Sequence, residues 1–212
     1  MIIDLSYPIK PDMLVWPNGD LPVYEWKNRV DSEGWNETCI RMSVHTGTHV
    51  DAPLHLMSEG MPLEELQLNH FWGTARLFKM SDEPNNQDIT LDVLHKSGFS
   101  LEGAGIFVMQ TGIECFAEIQ DYNYKFPVPT IELLEWLTQK GMHTYMTDAT
   151  SVDRADDREM CNHKFLFKHG IPIIENLKNL SKLPGNTDFT ICAMPLLLYA
   201  REGSPCRAAA II

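Results

Sequence analysis

Long apolar runs are missing from this chain. No segment approaches the roughly eighteen uninterrupted apolar residues that a membrane span needs. The opening, with Asp4 and Pro8, lacks the charged-then-apolar layout of a secretory leader. Both absences predict a soluble, cytoplasmic protein. Cysteine is scarce: the five residues, at positions 39, 115, 161, 192 and 206, are odd in number, widely spread and without a CxxC pair. They read as reduced thiols, mostly in the core. Basic clusters are also missing. Lys and Arg total 17 against 29 Asp and Glu, a net charge of -12, which excludes a phosphate-binding surface for nucleic acid. Repeats, low-complexity tracts and a convincing linker are absent too. With 212 residues and 44% hydrophobic content, the chain can bury one sizeable core, so a single domain over residues 1–212 is expected.

The patterning predicts alternating strands and helices. Runs at Thr38 to Val44, Thr74 to Met80, Gly105 to Thr111, His143 to Thr147, Ile171 to Ile174 and Phe189 to Leu198 are rich in β-branched or aromatic residues and bounded by Gly, Pro or Asp. Several are apolar throughout, as buried strands are. The best helix runs from Thr130 to Lys140, with Thr130 as cap, a stripe of Ile131, Leu134 and Leu137, and Gly141 at its end. A second starts near Asp156 or Asp157 and stops at Gly170, and shorter ones are expected at Pro62 to Leu68, Thr90 to Ser97 and Asn176 to Leu180. Interleaved strands and helices define an α/β class.

What the chain does concentrate is histidine. Of eight in total, His45, His49 and His55 fall within eleven residues, beside Asp51. Imidazole nitrogen with carboxylate oxygen suits zinc, manganese or iron(II), whereas calcium and magnesium prefer oxygen alone. In an extended strand His45 and His49 would lie about 13 Å apart, so sharing one ion requires a bend. Gly47 is where that bend can occur. A helix would bring them to about 6 Å, but Gly47, the β-branched Thr46, Thr48 and Val50, and Pro53 weigh against one. The reading is a strand followed by a kinked loop, with His49 and Asp51 projecting to one side. A histidine-rich turn that only satisfies backbone groups is the competing reading.

The segment His45-Thr46-Gly47-Thr48-His49-Val50-Asp51-Ala52-Pro53-Leu54-His55 resembles the HxGTHxDAPxH pattern of the putative cyclase family, which includes bacterial kynurenine formamidases and isatin hydrolases. Met1 to Ser6 with Trp16-Pro17 resembles that family's opening, Gly170 to Leu177 its carboxylate-bearing strand, and Gly203 to Ala208 its closing motif. The resemblance spans essentially the whole chain. It implies a swivelling β/β/α fold with a mixed sheet or barrel-like core, and a homodimer in which one subunit helps wall the other's pocket.

It also implies a two-ion centre of zinc or manganese. His45, His49 and Asp51 would hold one divalent ion, and Asp51, His163 and Glu175 a second, with Asp51 as the bridge. The activity implied is hydrolysis of the C–N bond of an aryl formamide or cyclic amide by metal-activated water, with His55 moving the proton. An ester-directed cyclase or lactonase, and a metal-stabilised binding protein without catalysis, are the alternatives. On the residues alone, His163 could equally be a packed or solvated helical side chain. Glu175, directly after Ile173-Ile174, would be costly to bury unless paired or metal-bound, or else sits at a surface strand end. His55 could also be a third ligand or a partner that orients another imidazole.

Other polar residues read as structural. Asp148 to Asp153 could orient ligands or form a capped turn. His70, His95, His143 and His169 lie outside the motif. Ser204 lacks a nucleophile elbow, and Arg207 is expected to pair with a structural acid. Trp16 and Phe71-Trp72 are candidate aromatic walls, though core packing is the commoner use. Leu56 stands where many kynurenine formamidases have an aromatic residue, and the opening reads Trp16-Pro17-Asn18-Gly19-Asp20 rather than Trp-Pro-Gly-Asp.

Overall fold

The structure, a computed structural model, describes residues 1–80, 88–113 and 125–212; Cys115 lies outside them. Its strands, in chain order, are β1 (Ile2–Asp4), β2 (Val23–Asn28), β3 (Glu37–Arg41), β4 (His49–Asp51), β5 (Trp72–Lys79), β6 (Asp88–Ile89), β7 (Ile106–Gln110), β8 (Val128–Pro129), β9 (Thr144–Thr147), β10 (Ile173–Glu175), β11 (Asp188–Cys192), β12 (Gly203–Pro205) and β13 (Ala209–Ile211). The helices are α1 (Val30–Glu33), α2 (Leu91–Lys96), α3 (Ile131–Gln139) and α4 (Cys161–Lys168).

Nine strands form one mixed sheet in the order β1-β13-β11-β5-β7-β9-β10-β4-β12, with β5, β7, β9 and β10 parallel at its centre. Side chains alternate between the two faces of a strand, and in β7 both faces are dry. Ile106 and Val108 enter one apolar cluster, while Phe107 and Met109 enter the other. The second cluster also takes Leu94, Leu133, Leu134, Leu137, Leu166 and Phe167, so α2, α3 and α4 cover that face. Each such fully buried leucine contributes about 1.5–3 kcal/mol relative to exposure. The first cluster lies inside the curl of the sheet. Ser6 bridges Leu177, and the Lys178 amide donates to the Leu5 carbonyl at 2.9 Å, drawing the β1 edge round to the chain that follows β10. This mixed, barrel-like α/β sheet agrees with the expected class.

Several local expectations are corrected. Among the described residues, strand β3 is exposed throughout and pairs only with β2, in a separate two-stranded sheet. Glu37, Thr38 and Arg41 suit a surface hairpin better than a buried strand. Strand β11 ends at Cys192 instead of Leu198, because Pro195 has no amide to continue the ladder. No helix forms over Asn176 to Leu180. Asn176 and Asn179 adopt left-handed φ of 59° and 61°, a conformation asparagine tolerates, and the intervening Leu177 amide donates to Thr147 instead. Pro62 to Leu68 gives only short 3-10 turns.

Helix α3 keeps its Thr130 cap, whose hydroxyl accepts from the Leu133 amide at 3.3 Å, but buries Leu133 alongside Leu134 and Leu137 and leaves Ile131 exposed. Helix α4 begins at Cys161, later than expected. Among the described residues, no helix is long and apolar enough to cross a membrane.

Candidate metal centre

Strand β4 carries the centre between β10 and β12. The register sets His49 opposite Glu175 and Asp51 opposite Ile173, so His49, Asp51 and Glu175 share one face, while Val50 turns into the core. Gly47 supplies the anticipated bend, with φ of 64°. His45 thereby folds back until its Nδ1 lies 2.6 Å from Asp51 Oδ1, and His49 Nε2 lies 3.2 Å from the same oxygen. Thr48 locks the loop: its hydroxyl donates to the Asn176 carbonyl at 2.6 Å and accepts from the Tyr7 amide at 3.0 Å.

The other Asp51 oxygen faces a different imidazole. His163 Nε2 lies 3.7 Å from Asp51 Oδ2 and 3.4 Å from Glu175 Oε1. Helix α4 presents this ring, and Asp153 aims it. Asp153 accepts from the Asn162 and His163 amides at the helix start, at 2.8 and 3.0 Å, and from His163 Nδ1–H at 2.7 Å. One carboxylate thus caps the helix and fixes the ring tautomer, leaving Nε2 directed at Asp51 and Glu175. His49 is fixed similarly, its Nδ1–H donating to the Gly47 carbonyl at 2.8 Å. Of the readings open for Asp148 to Asp153, Asp153 orients His163, while Asp148 accepts from Thr111 and the Gly112 amide.

Two triads result, His45-His49-Asp51 and Asp51-His163-Glu175, with Asp51 in both and the ligand atoms of each within 4.8 Å of one another. All are buried except His45, whose side chain is 24% exposed. His55 belongs to neither triad; its ring packs 4.2 Å from that of His45, centroid to centroid.

Charge is concentrated here. Burial raises the cost of ionising Asp51, yet His49, His163 and His45 hold its carboxyl well below the usual range. Burial and the Asp51 charge push Glu175 up. Burial opposes a proton on His49, but Asp51 and Glu175 overcome it and raise the imidazole to about 9. His163 is likewise raised against its burial by Asp153, Asp51 and Glu175. For His55 burial dominates, and the nearby imidazoles add to it, so it is pushed down to about 4. His55 is therefore neutral at neutral pH.

A cavity of about 500 Å³ opens over the centre, walled in part by Leu14, Trp16, Leu56, Thr150, Arg154 and Met160. Of the candidate aromatic walls, Trp16 lines it, Phe71 is in the core and Trp72 is on the surface. Arg207 pairs bidentately with Asp4, at 2.9 and 2.7 Å, away from the cavity. Ser204 donates to the Pro205 carbonyl and accepts from the Leu196 amide, as a structural hydroxyl does.

Glu202 was not singled out from the sequence, yet its Oε1 lies 3.8 Å from His45 Nε2. The signal available was an acid immediately before the Gly203-Ser204-Pro205 motif.

Residues 3–154 match the family model described as Putative cyclase. The chain belongs to that family. It is 35% identical over 209 residues to the kynurenine formamidase of Bacillus thuringiensis (strain Al Hakam), covering 97% of this chain and 95% of the relative. Among solved structures, isatin hydrolase A from Labrenzia aggregata superposes with a TM-score of 0.87 at 24% identity, over 100% of this chain and 93% of the other. That likeness establishes the shared fold. A structure described as a potential metal-dependent hydrolase with cyclase activity is 28% identical, with a TM-score of 0.81 over 99% of this chain and 96% of the other.

Proposed function

We propose that this family member is a metal-dependent hydrolase of small amides, cleaving the C–N bond of an aryl formamide or a cyclic amide. The observation that carries this reading is the division of Asp51: one oxygen faces His45 and His49, the other His163. Such a carboxylate suits two cations, and the donor set of imidazole nitrogen and carboxylate oxygen suits zinc, manganese or iron(II). The fit is supported by an atom left unsatisfied. Glu175 Oε1 is buried without a hydrogen-bond partner, a condition that costs about 1–3 kcal/mol unless something else satisfies it.

His45, His49 and Asp51 would hold one ion, and Asp51, His163 and Glu175 the other. When bound, the ions supply Lewis acidity toward the amide carbonyl and lower the pKa of water. The side chains do the rest. Asp153 and the Gly47 carbonyl fix ring orientations, and the cavity's apolar wall of Leu14, Trp16, Leu56 and Met160 suits a flat aryl group. His55, neutral and beside His45, accepts the proton released from water and delivers it to the departing nitrogen.

The kynurenine formamidase relatives and isatin hydrolase neighbours support the amide assignment. We read the chain as one domain, working as a cytoplasmic homodimer. The described cysteines are free, as reduced thiols are, but Cys39 and Cys161 are exposed and Cys192 and Cys206 half-buried, not in the core as expected. The exposed β2–β3 hairpin, bearing Val23, Tyr24, Trp26 and Ile40, offers apolar surface to a second copy.

The test is turnover of N-formylkynurenine, isatin and a broad amide and ester panel, with and without a chelator. Chelator-sensitive amide hydrolysis is expected. Failure of every amide in fully metal-loaded protein would sink the assignment.

A further inference from the structure

The two triads are held unequally. His163 is buried, sits on a helix, and gives its Nδ1–H to Asp153 at 2.7 Å. His45 sits on a turn, is partly exposed, and uses Nδ1 toward Asp51, so its outward nitrogen is Nε2. That nitrogen has no hydrogen-bond partner, although the Glu202 carboxylate lies 3.8 Å away. The Glu202 carboxylate accepts no other hydrogen bond from the described residues, and its side chain is 37% exposed.

The Glu202 backbone is nevertheless fixed to the metal-bearing strand. Its carbonyl accepts from the Ala52 amide at 2.8 Å, and the next residue, Gly203, pairs with Asp51. Only rotation about side-chain bonds separates the carboxylate from hydrogen-bonding distance.

Resting on the two-ion reading above, we infer that Glu202 is a positioning residue for His45, accepting its Nε2–H when Nδ1 ligates the outer ion. The pair His45–Glu202 then does for the outer triad what His163–Asp153 does for the inner one. A carboxylate behind a ligating imidazole fixes its tautomer and raises its basicity, and losing such a partner costs about 10- to 100-fold in metal affinity. Because the Glu202 side chain is partly exposed and Asp153 is buried, the outer ion is the more weakly held and the exchangeable one.

Charge supports the same arrangement. Two divalent cations bring four positive charges, of which the ligands Asp51 and Glu175 offset two. Asp153 and Glu202 place two further carboxylates directly behind ligand rings.

The experiment is titration of metal-stripped full-length protein with Zn(II) in competition with a chromogenic chelator, for wild type, Glu202→Ala and Glu202→Gln. Wild type should show a tight and a weaker class of site. Glu202→Ala should weaken the weaker class about 10- to 100-fold and leave the tight class within about twofold. Glu202→Gln, which keeps an acceptor for Nε2–H but not the charge, should recover part of that loss. Unchanged binding in Glu202→Ala overturns the inference. So does equal loss at both classes, or a Gln variant no better than Ala, which would mark a charge effect without positioning. A wild-type chain that binds no ion would instead overturn the metal reading itself.

Discussion

Glu175 faces His49 across adjacent antiparallel strands, and Glu175 Oε2 comes within 3.7 Å of His49 Nε2. Sheet register, more than loop conformation, therefore sets the distance between the two triads. A slip of one residue would turn Glu175 to the opposite face and bring Ile174 to the candidate centre.

Removing the shared carboxylate should abolish both sites together. In Asp51→Asn the amide nitrogen cannot ligate and the charge is gone, so metal content should fall from two ions to none and turnover by at least about 10³-fold. Elemental analysis of the purified variant alongside wild type checks this. Retention of one tightly held ion would contradict a carboxylate shared by both triads.

His55 gives the opposite pattern. Because it belongs to neither triad, His55→Ala should keep its full metal content while kcat falls about 10²- to 10⁴-fold, the usual contribution of a positioned acid–base group. Wild-type turnover in this variant would remove His55 from proton transfer.

Metal uptake should depend on pH through His49. Its folded-state pKa, about 9, is above the unfolded value of 6.5, so below pH 9 the incoming ion must displace a proton. Apparent affinity should climb by up to about tenfold per pH unit from this group and level off above pH 9. In metal-stripped protein the sign reverses for stability. The raised pKa stabilises the fold fully below pH 6.5, and that contribution is lost as pH rises through 9. Melting of the stripped protein should thus occur at lower temperature at pH 9 than at pH 6.5, and His49→Asn should reduce the difference, with the raised His163 accounting for what remains.

Gly203 is required sterically. A Cβ there would lie 2.7 Å from the Val50 carbonyl oxygen and 3.0 Å from His45 Cε1, so Gly203→Ala must push β12 off β4 or displace His45. A loss of about 1–3 kcal/mol in stability is expected, together with weaker metal binding, measurable by denaturant titration and metal analysis. Unaltered stability would mean that the strand pair separates without cost.

The hairpin predicts its own outcome. Ile40→Glu places a charge on the exposed apolar surface of β3. Sedimentation should report monomer where wild type reports dimer, and a wild-type monomer would refute the assembly.

The sequence was most legible where chemistry is local. His45 to Asp51 is one short segment whose bend follows from Gly47, and Glu175 is betrayed by an apolar run that burial makes costly to end with a charge. In α3 the spacing gave Leu134 and Leu137 correctly, but Ile131 is exposed and Leu133 is buried instead. What could not be read are relationships between distant positions. Glu202 is 157 residues from His45 and lies near it only because β12 pairs with β4. The missed helix at Asn176 shows local propensity yielding to context. Two left-handed asparagines let that chain leave β10 and bond to Thr147 and Leu5 instead.

Strand β4 pairs only with β10 and β12, both from the last fifth of the chain. During synthesis the histidine segment therefore emerges long before either neighbour exists to flank it. Such long-range pairing forms late, so a nascent or truncated chain holds three histidines and an aspartate without the frame that turns them toward one point. Ion capture becomes a marker of completed folding.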